Sequence, residues 1–172
     1  GSVGELKKYK KRLERKFIKK VDHTCVVTPS IEDWYRKEYD IDDVTTVMNI
    51  PDFPGKLLER KNRFRELFEI PSSHVVFLYQ GALFPGRGIE LLLRAFKEFE
   101  LHYHIIFMGY GELEDEITIA AREFQNIHFK TAVPYNEIQE FSSSADIGLS
   151  LIENKCLSYY HCLPNKLFEY VK

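Results

Sequence analysis

A glycine-rich loop with one arginine follows the most apolar segment of the chain, at positions 75–79. This loop, at positions 80–88, contains three glycines and a basic residue: Gly81, Gly86, Gly88 and Arg87. Glycine lets backbone N–H groups approach a ligand, and Arg87 adds a positive charge, so the loop predicts an anion site. A tight strand-to-helix turn explains the glycines equally well. A Walker A loop is excluded because its Lys and Ser/Thr are missing, and the glycine spacing excludes a dinucleotide fingerprint.

The segment LPNKLFE near the end of the chain is the second candidate for anion binding. Pro164 suits the first turn of a helix, where its missing N–H costs nothing, and the amides of Asn165 and Lys166 are then free to face an anion. Lys166 and Glu169 share a helical face. A surface ion pair between them is the simpler interpretation. If the helix begins at the same sheet edge as Arg87, the two cations can hold one diphosphate while Glu169 accepts hydrogen bonds from ribose hydroxyls.

A second glycine turn is indicated by Gly109 and Gly111, which flank one tyrosine before an acidic segment. The simpler interpretation is a turn that leads from a strand into a helix with an acidic first turn. The functional interpretation is a backbone wall that allows a base or a ribose to lie against it.

The chain alternates segments with strand-like and helix-like periodicity. The pattern predicts strands at 23–28, 44–48, 75–79, 104–108, 127–129 and 146–151. It predicts helices at 56–69, 88–100, 112–124, 135–143 and 163–171, with a further helix that begins at Ser30 and has Asp33 three residues on. Four consecutive β-α units indicate an α/β fold with a doubly wound parallel sheet. Ligands of such sheets bind at the carboxyl ends of the strands, which selects the loops at 80–88, 109–112, 130–134 and 152–165.

Composition excludes several classes of protein. The 172 residues are 44% hydrophobic and 29% charged, which is typical of one globular core, and no apolar run is long enough to span a bilayer. The three cysteines, Cys25, Cys156 and Cys162, form no CxxC pair, so a reducing, cytoplasmic location is expected. Residues 1–20 carry a surplus of seven positive charges, whereas the remainder carries nine net negative charges. Because the body is acidic, no nucleic-acid partner is expected.

The basic segment at positions 1–20 has helical periodicity. Leu6, Leu13, Phe17 and Val21 fall on one face of a helix whose other face is rich in lysine and arginine. The favoured interpretation is a helix that packs its apolar stripe onto its own protein. The alternative is peripheral contact with an anionic membrane.

The runs FLYQGALFPGRGIELLLRAF, HIIFMGYGELEDEI, SADIGLSLI and LPNKLFEYV resemble the nucleotide-binding half of group 1 glycosyltransferases with the GT-B fold. The resemblance covers about residues 44–172. It implies a Rossmann-like domain at 56–172, incomplete at its C-terminus, and a hinge at 49–55. Residues 1–48 are then a helix–strand–helix remnant of the acceptor-side domain, and we expect the natural chain to extend at both ends.

The resemblance also assigns roles to individual residues. Arg87 and Lys166 would neutralise the diphosphate that leaves and count as the catalytic residues. Eight residues would bind the substrate: Gly81, Gly86, Gly88, Gly109, Gly111, Val133 beside the base, Asn165 near the distal phosphate, and Glu169 on the ribose. Two positions depart from the family pattern, since Ala82 stands where many members have a second cation and His161 stands where many have a glutamate.

The activity implied is transfer of a sugar from a nucleotide diphosphate to an acceptor hydroxyl. The acceptor would be a sugar or a lipid-linked glycan in polysaccharide or glycolipid synthesis. The expected chemistry uses no metal and no cofactor, and it retains the anomeric configuration. The fragment alone is expected to bind nucleotide without turnover. Two alternatives stay open: a nucleotide-sugar 2-epimerase, and a non-catalytic module that presents Tyr159, Tyr160 and Phe168 to a partner.

Overall fold

The computed structural model describes residues 3–50 and 59–171, which form two compact units. The first unit consists of the described residues up to Asn49 together with His161–Leu163, and the second consists of the other described residues. The hinge expected at 49–55 lies largely outside the described residues, so the domain boundaries stay predictions. Among the described residues, no helix combines the length and the apolar character that a membrane span requires.

The first unit is a small α/β element built around two parallel strands. Its elements are α1 (Val3–Phe17), a 3-10 turn (Ile18–Lys20), β1 (Thr24–Val26), α2 (Pro29–Tyr39) and β2 (Val44–Thr46). Thr24 pairs with Val44. The expectation that Ser30 begins α2 is wrong: Thr28 caps the helix, and its hydroxyl accepts a hydrogen bond from the Ile31 amide at 3.2 Å. Pro29 occupies the first helical turn, so the cap must precede it.

Helix α1 contacts α2 through charged side chains, and much of its apolar stripe is exposed. Arg15 pairs with Glu38 at 2.6 Å, whereas Leu6, Tyr9 and Phe17 are 55%, 60% and 48% exposed. Leu13, on the same stripe, is half-buried, so the expectation that the stripe packs onto its own protein stays a prediction. Contact with an anionic membrane stays a prediction.

The second unit is built on a four-stranded parallel sheet. Its elements are α3 (Arg63–Phe68), β3 (Val75–Ala82), α4 (Ile89–Glu98), β4 (Tyr103–Tyr110), α5 (Glu114–Glu123), β5 (Ile127–Thr131), α6 (Tyr135–Ser142), β6 (Ile147–Gly148), α7 (Leu157–Tyr160) and α8 (Asn165–Tyr170). The strand order is β5-β4-β3-β6, and every pair is parallel. From β3 the chain continues to β4 and β5 on one side and then returns to β6 on the other side of β3, which confirms the doubly wound sheet.

Both faces of the central strands are buried. One face packs in a cluster formed by Phe64, Ile70, Val76, Leu78, Ile106 and Met108. The other packs in a larger cluster that includes Tyr79, Leu83, Ile89, Leu93, Phe96, Ile105, Phe107 and Ile117. A sheet covered on both sides by helices requires continuous apolar strands, which is why the run at 75–79 shows no alternation.

Several element boundaries differ from the expected ones. Strands β3 and β4 continue beyond 79 and 108, so that Gly81 and Gly109 pair within the sheet instead of lying in loops. A Cβ at Gly109 would overlap the carbonyl oxygen of Gly81, so the ladder reaches this far only because the position is glycine. Strand β6 is shorter than predicted, and α7 was not expected. Helix α3 begins only at Arg63, whose amide donates to the Ser144 hydroxyl at 3.2 Å.

Three imidazoles form a hydrogen-bonded row near the amino ends of the strands, at the edge opposite the predicted loops. His74 Nδ1 lies 2.9 Å from His104 Nε2, and His104 Nδ1 lies 2.9 Å from His128 Nε2. Burial lowers the pKa of His104 and that of His128 to about 4, and the neighbouring imidazole acts in the same direction. His104 and His128 are therefore neutral at pH 7.

Candidate active site

A pocket of about 390 Å³ lies at the carboxyl ends of the parallel strands, wholly within the second unit. Seven of the predicted site residues line it: Gly81, Arg87, Gly109, Val133, Asn165, Lys166 and Glu169. Segments far apart in the sequence thus meet at one cavity, as expected for a doubly wound sheet. The other lining residues include Gln80, Met108, Tyr110, Ile138 and Pro164.

Three of the predicted glycines are not among the residues that line the pocket. Gly86, Gly88 and Gly111 have positive φ angles and lie in the adjoining loops. Gly88 immediately precedes α4, with φ of 77°, and a Cβ there would lie 2.6 Å from the Leu151 Cβ. In this structure Gly88 therefore allows the loop to turn into α4 against the chain that follows β6.

Lys166 lies inside the pocket and not on the helix surface. Its Nζ is 3.5 Å from the centroid of the Tyr79 ring, and its Cε fills the space beside Gly81. No ion pair forms between Lys166 and Glu169 in the part of the chain that the structure describes. Burial, together with the positive charge of Arg87, lowers the pKa of Lys166 to about 7, against an opposing effect of Glu169. An anion in the pocket would return this ammonium to its charged form.

The side chain of Arg87 is held by an aromatic residue of α7, Tyr159. Its guanidinium carbon lies 4.6 Å from the centroid of the Tyr159 ring, an arrangement in which a cation is stabilised by the ring face. Its Nε is buried and has no hydrogen-bond partner among the described residues. A buried donor without a partner costs about 1–3 kcal/mol, so a ligand oxygen at this position would remove a penalty. Tyr159 thus lies beside a pocket cation.

The Glu169 carboxylate is held by a residue that sequence reasoning did not select. Gln80 Nε2 donates to Glu169 Oε2, and the Ser142 hydroxyl donates to Gln80 Oε1 at 2.6 Å. Gln80 is only 3% exposed. The sequence signal that could have identified Gln80 is its position directly after the apolar run of β3. A polar side chain buried at such a position has hydrogen-bond partners.

The two positions that depart from the family pattern have different surroundings. Ala82 is the last residue of β3, so no side-chain cation follows Gly81 there. His161 belongs to the first unit, where its carbonyl oxygen accepts a hydrogen bond from the Thr28 hydroxyl at 3.1 Å. Neither residue lines the pocket. Pro164 precedes α8 and has an extended backbone, so the helix begins one residue later, at Asn165.

No cluster of metal-ligating side chains occurs within residues 3–50 and 59–171. The chain contains one Asp-x-Asp sequence, formed by Asp40 and Asp42, and it lies in the first unit. Asp40 pairs with Lys19 at 3.8 Å and Asp42 pairs with Arg36 at 3.9 Å. These carboxylates are therefore partnered by cations of their own unit. No disulfide bond joins Cys25, Cys156 and Cys162, all of which belong to the described residues.

Comparison with solved structures identifies the fold. A mutant of S. aureus TarM, in complex with fondaparinux, alpha-GlcNAc-glycerol and UDP, matches 81% of this chain at 13% identity and a TM-score of 0.57, over 27% of its own length. WaaG, a glycosyltransferase involved in lipopolysaccharide biosynthesis, matches 86% at 15% identity and a TM-score of 0.62, over 41% of its length. A further TarM structure matches 81% at 14% identity and a TM-score of 0.55. No family model and no curated protein matches the sequence.

The chain thus spans less than half the length of each of these glycosyltransferases. At identities of 13–15%, the likeness establishes the fold, which is that of a Rossmann-like GT-B half. The fold expected from the sequence is confirmed.

Proposed function

We propose that the pocket binds the diphosphate of a nucleotide sugar, and that this domain is the donor-binding half of a glycosyltransferase. The observation that carries the proposal is that Arg87 and Lys166, 79 positions apart in the sequence, line one cavity at the strand ends. Two cations that face one cavity repel each other, and after burial this repulsion is the second cause of the lowered pKa of Lys166. A dianionic ligand would turn that repulsion into two charge-assisted hydrogen bonds.

The rest of the pocket supports a nucleotide as the occupant. A volume of about 390 Å³ falls within the range of small-molecule sites. Glu169 offers a carboxylate that can accept hydrogen bonds from ribose hydroxyls, and the loop after β5, which contains Val133, offers backbone groups to a base. Gly81 and Gly109 let a phosphate or a ribose approach the backbone of the two central strands.

In the proposed reaction, Arg87 and Lys166 stabilise the negative charge that develops on the leaving diphosphate as the bond to the sugar breaks. Protein cations could then take the place of a metal ion. The acceptor hydroxyl of a sugar or a lipid-linked glycan would be presented by residues outside the donor domain. Retention of configuration, and a role in polysaccharide or glycolipid synthesis, are parts of the proposal that rest on resemblance alone.

Calorimetry with UDP, GDP and ADP tests the proposal. We expect at least one of them to bind the wild-type chain. Each charge-assisted hydrogen bond contributes about 1.5–3 kcal/mol, so Arg87→Ala and Lys166→Ala should each weaken binding by roughly 10- to 150-fold. Lys97→Ala is the matched control, because Lys97 lies over the Phe124 ring and does not line the pocket.

Two results would contradict the proposal. One is no binding of any of the three nucleotides, and the other is equal loss of affinity in Lys97→Ala and in the two pocket variants. A longer form of the protein that released a C2-epimerised sugar without acceptor would instead assign the domain to a 2-epimerase.

A further inference from the structure

Gln80 is a buried polar side chain at the base of the pocket, in the middle of the hydrogen-bond network that reaches α8. Both polar atoms of its amide have partners, Glu169 on one side and Ser142 on the other. A carboxylate can only accept hydrogen bonds, so the amide nitrogen must face Glu169 and the amide oxygen must face the Ser142 hydroxyl. The orientation of the Gln80 amide is thereby determined.

The backbone of the same residue also holds α8. The backbone N–H of Gln80 donates to the Tyr170 hydroxyl at 3.1 Å. That hydroxyl lies 3.2 Å from both the Leu78 and the Leu149 carbonyl oxygens. Helix α8 is therefore attached to β3 through two consecutive side chains, Glu169 and Tyr170. The position of the Glu169 carboxylate within the pocket follows from these attachments.

We propose that Gln80 is a positioning residue that makes the pocket selective for ribonucleotides. Gln80 occupies Oε2 of Glu169, and no hydrogen bond to Oε1 occurs among the described residues, so Oε1 is available to a ligand hydroxyl. The Glu169 carboxylate prevents the Gln80 amide from turning over, because the reversed amide would place its oxygen against the carboxylate, and the Ser142 hydroxyl holds the other end of the amide. This inference rests on the proposed function, since it assumes that a nucleotide enters the pocket.

The test measures the ratio of dissociation constants for UDP and its 2′-deoxy and 3′-deoxy analogues, or for the corresponding forms of whichever nucleotide binds best. In the wild type, loss of the hydroxyl that Glu169 accepts should weaken binding about tenfold. Gln80→Met keeps the length of the side chain and removes both polar atoms. It should reduce this preference to less than about threefold while affinity for the deoxy analogue stays nearly unchanged.

Two further variants make the test specific. Ser142→Ala leaves Gln80 in place but frees its amide, and we expect a partial loss of the ribose preference. Gln125→Met is the matched control, since Gln125 is exposed and lies before β5, at the opposite edge of the sheet. It should bind all analogues as the wild type does.

The outcomes separate this inference from the function on which it rests. A wild-type chain that bound no nucleotide would overturn both. A wild-type preference for the ribonucleotide that persisted in Gln80→Met would overturn the positioning role alone. Equal weakening of the ribonucleotide and the deoxy analogues in Gln80→Met would also overturn it, because a general loss of pocket structure does not act through the hydroxyl.

Discussion

The lowered pKa of Lys166 predicts that binding of a nucleotide sugar weakens as the pH rises above 7. In the free pocket, burial and Arg87 bring the pKa of this ammonium to about 7. A bound diphosphate favours the charged form and raises the pKa. Below pH 7 Lys166 is already charged in the free protein, so affinity changes little. Above pH 7 binding must take up one proton, and affinity falls.

The magnitude follows from the fraction of protein in which Lys166 is charged before binding. At pH 6 about nine-tenths of the free protein is competent, whereas at pH 8.5 only about 3% is. The dissociation constant should therefore rise about 30-fold between these two pH values, and about one proton should be absorbed per ligand at the upper one. This holds as long as the pKa in the complex exceeds about 10.

Calorimetry with UDP-glucose, or with the sugar-linked form of whichever nucleotide binds best, measures both quantities. A sugar-linked diphosphate has no terminal phosphate that titrates near pH 6, so the ligand adds no pH dependence of its own. Buffers with different ionisation enthalpies give the number of protons taken up. Lys166→Arg is the sharpest control, because a guanidinium stays charged over this whole range and its profile should be flat.

A second variant tests the cause of the shift. Arg87→Gln removes the positive charge that lowers the pKa of Lys166, so the midpoint of the profile should move above pH 7 even though overall affinity is weaker. A wild-type profile that stayed level from pH 6 to 8.5 while the nucleotide sugar bound would refute the reasoning. It would mean that Lys166 is charged in the free pocket or that it makes no contact with the diphosphate.

The remaining predictions concern stability. The pKa values of His104 and His128 lie at about 4 in the folded protein, below the unfolded value of about 6.5, so their contribution is complete above pH 6.5 and is lost as the pH falls toward 4. Urea unfolding should show this loss, at most about 1.4 kcal/mol per pH unit for each imidazole, and His128→Gln should reduce the slope; an unchanged slope would contradict the assignment. Gly109→Ala should destabilise the chain by about 3 kcal/mol, because the new methyl group meets the backbone of Gly81, whereas Ile106→Val should cost only about 1 kcal/mol; equal costs would show that the strands separate freely at this point.

The fold class, and the edge of the sheet at which the candidate site lies, follow from patterns in the amino-acid sequence. Periodicity that changes from 2 to 3.6 residues is a local property, and the continuous apolar run at 75–79 already requires a strand covered on both faces. The loops that follow parallel strands lie at one edge of the sheet, so the sequence predicts that Arg87 and Lys166 share that edge.

The ends of the strands and the partners of the charged side chains depend on contacts that exist only in the folded chain. Strands β3 and β4 extend as far as Gly81 and Gly109 because these two glycines lie opposite each other. Helix α3 begins at Arg63, whose backbone N–H donates to the hydroxyl of Ser144, 81 positions away. Lys166 faces the Tyr79 ring instead of pairing with Glu169, which is held by Gln80. Burial, pKa and hydrogen-bond partners depend on groups distant in the chain, and no local pattern encodes them.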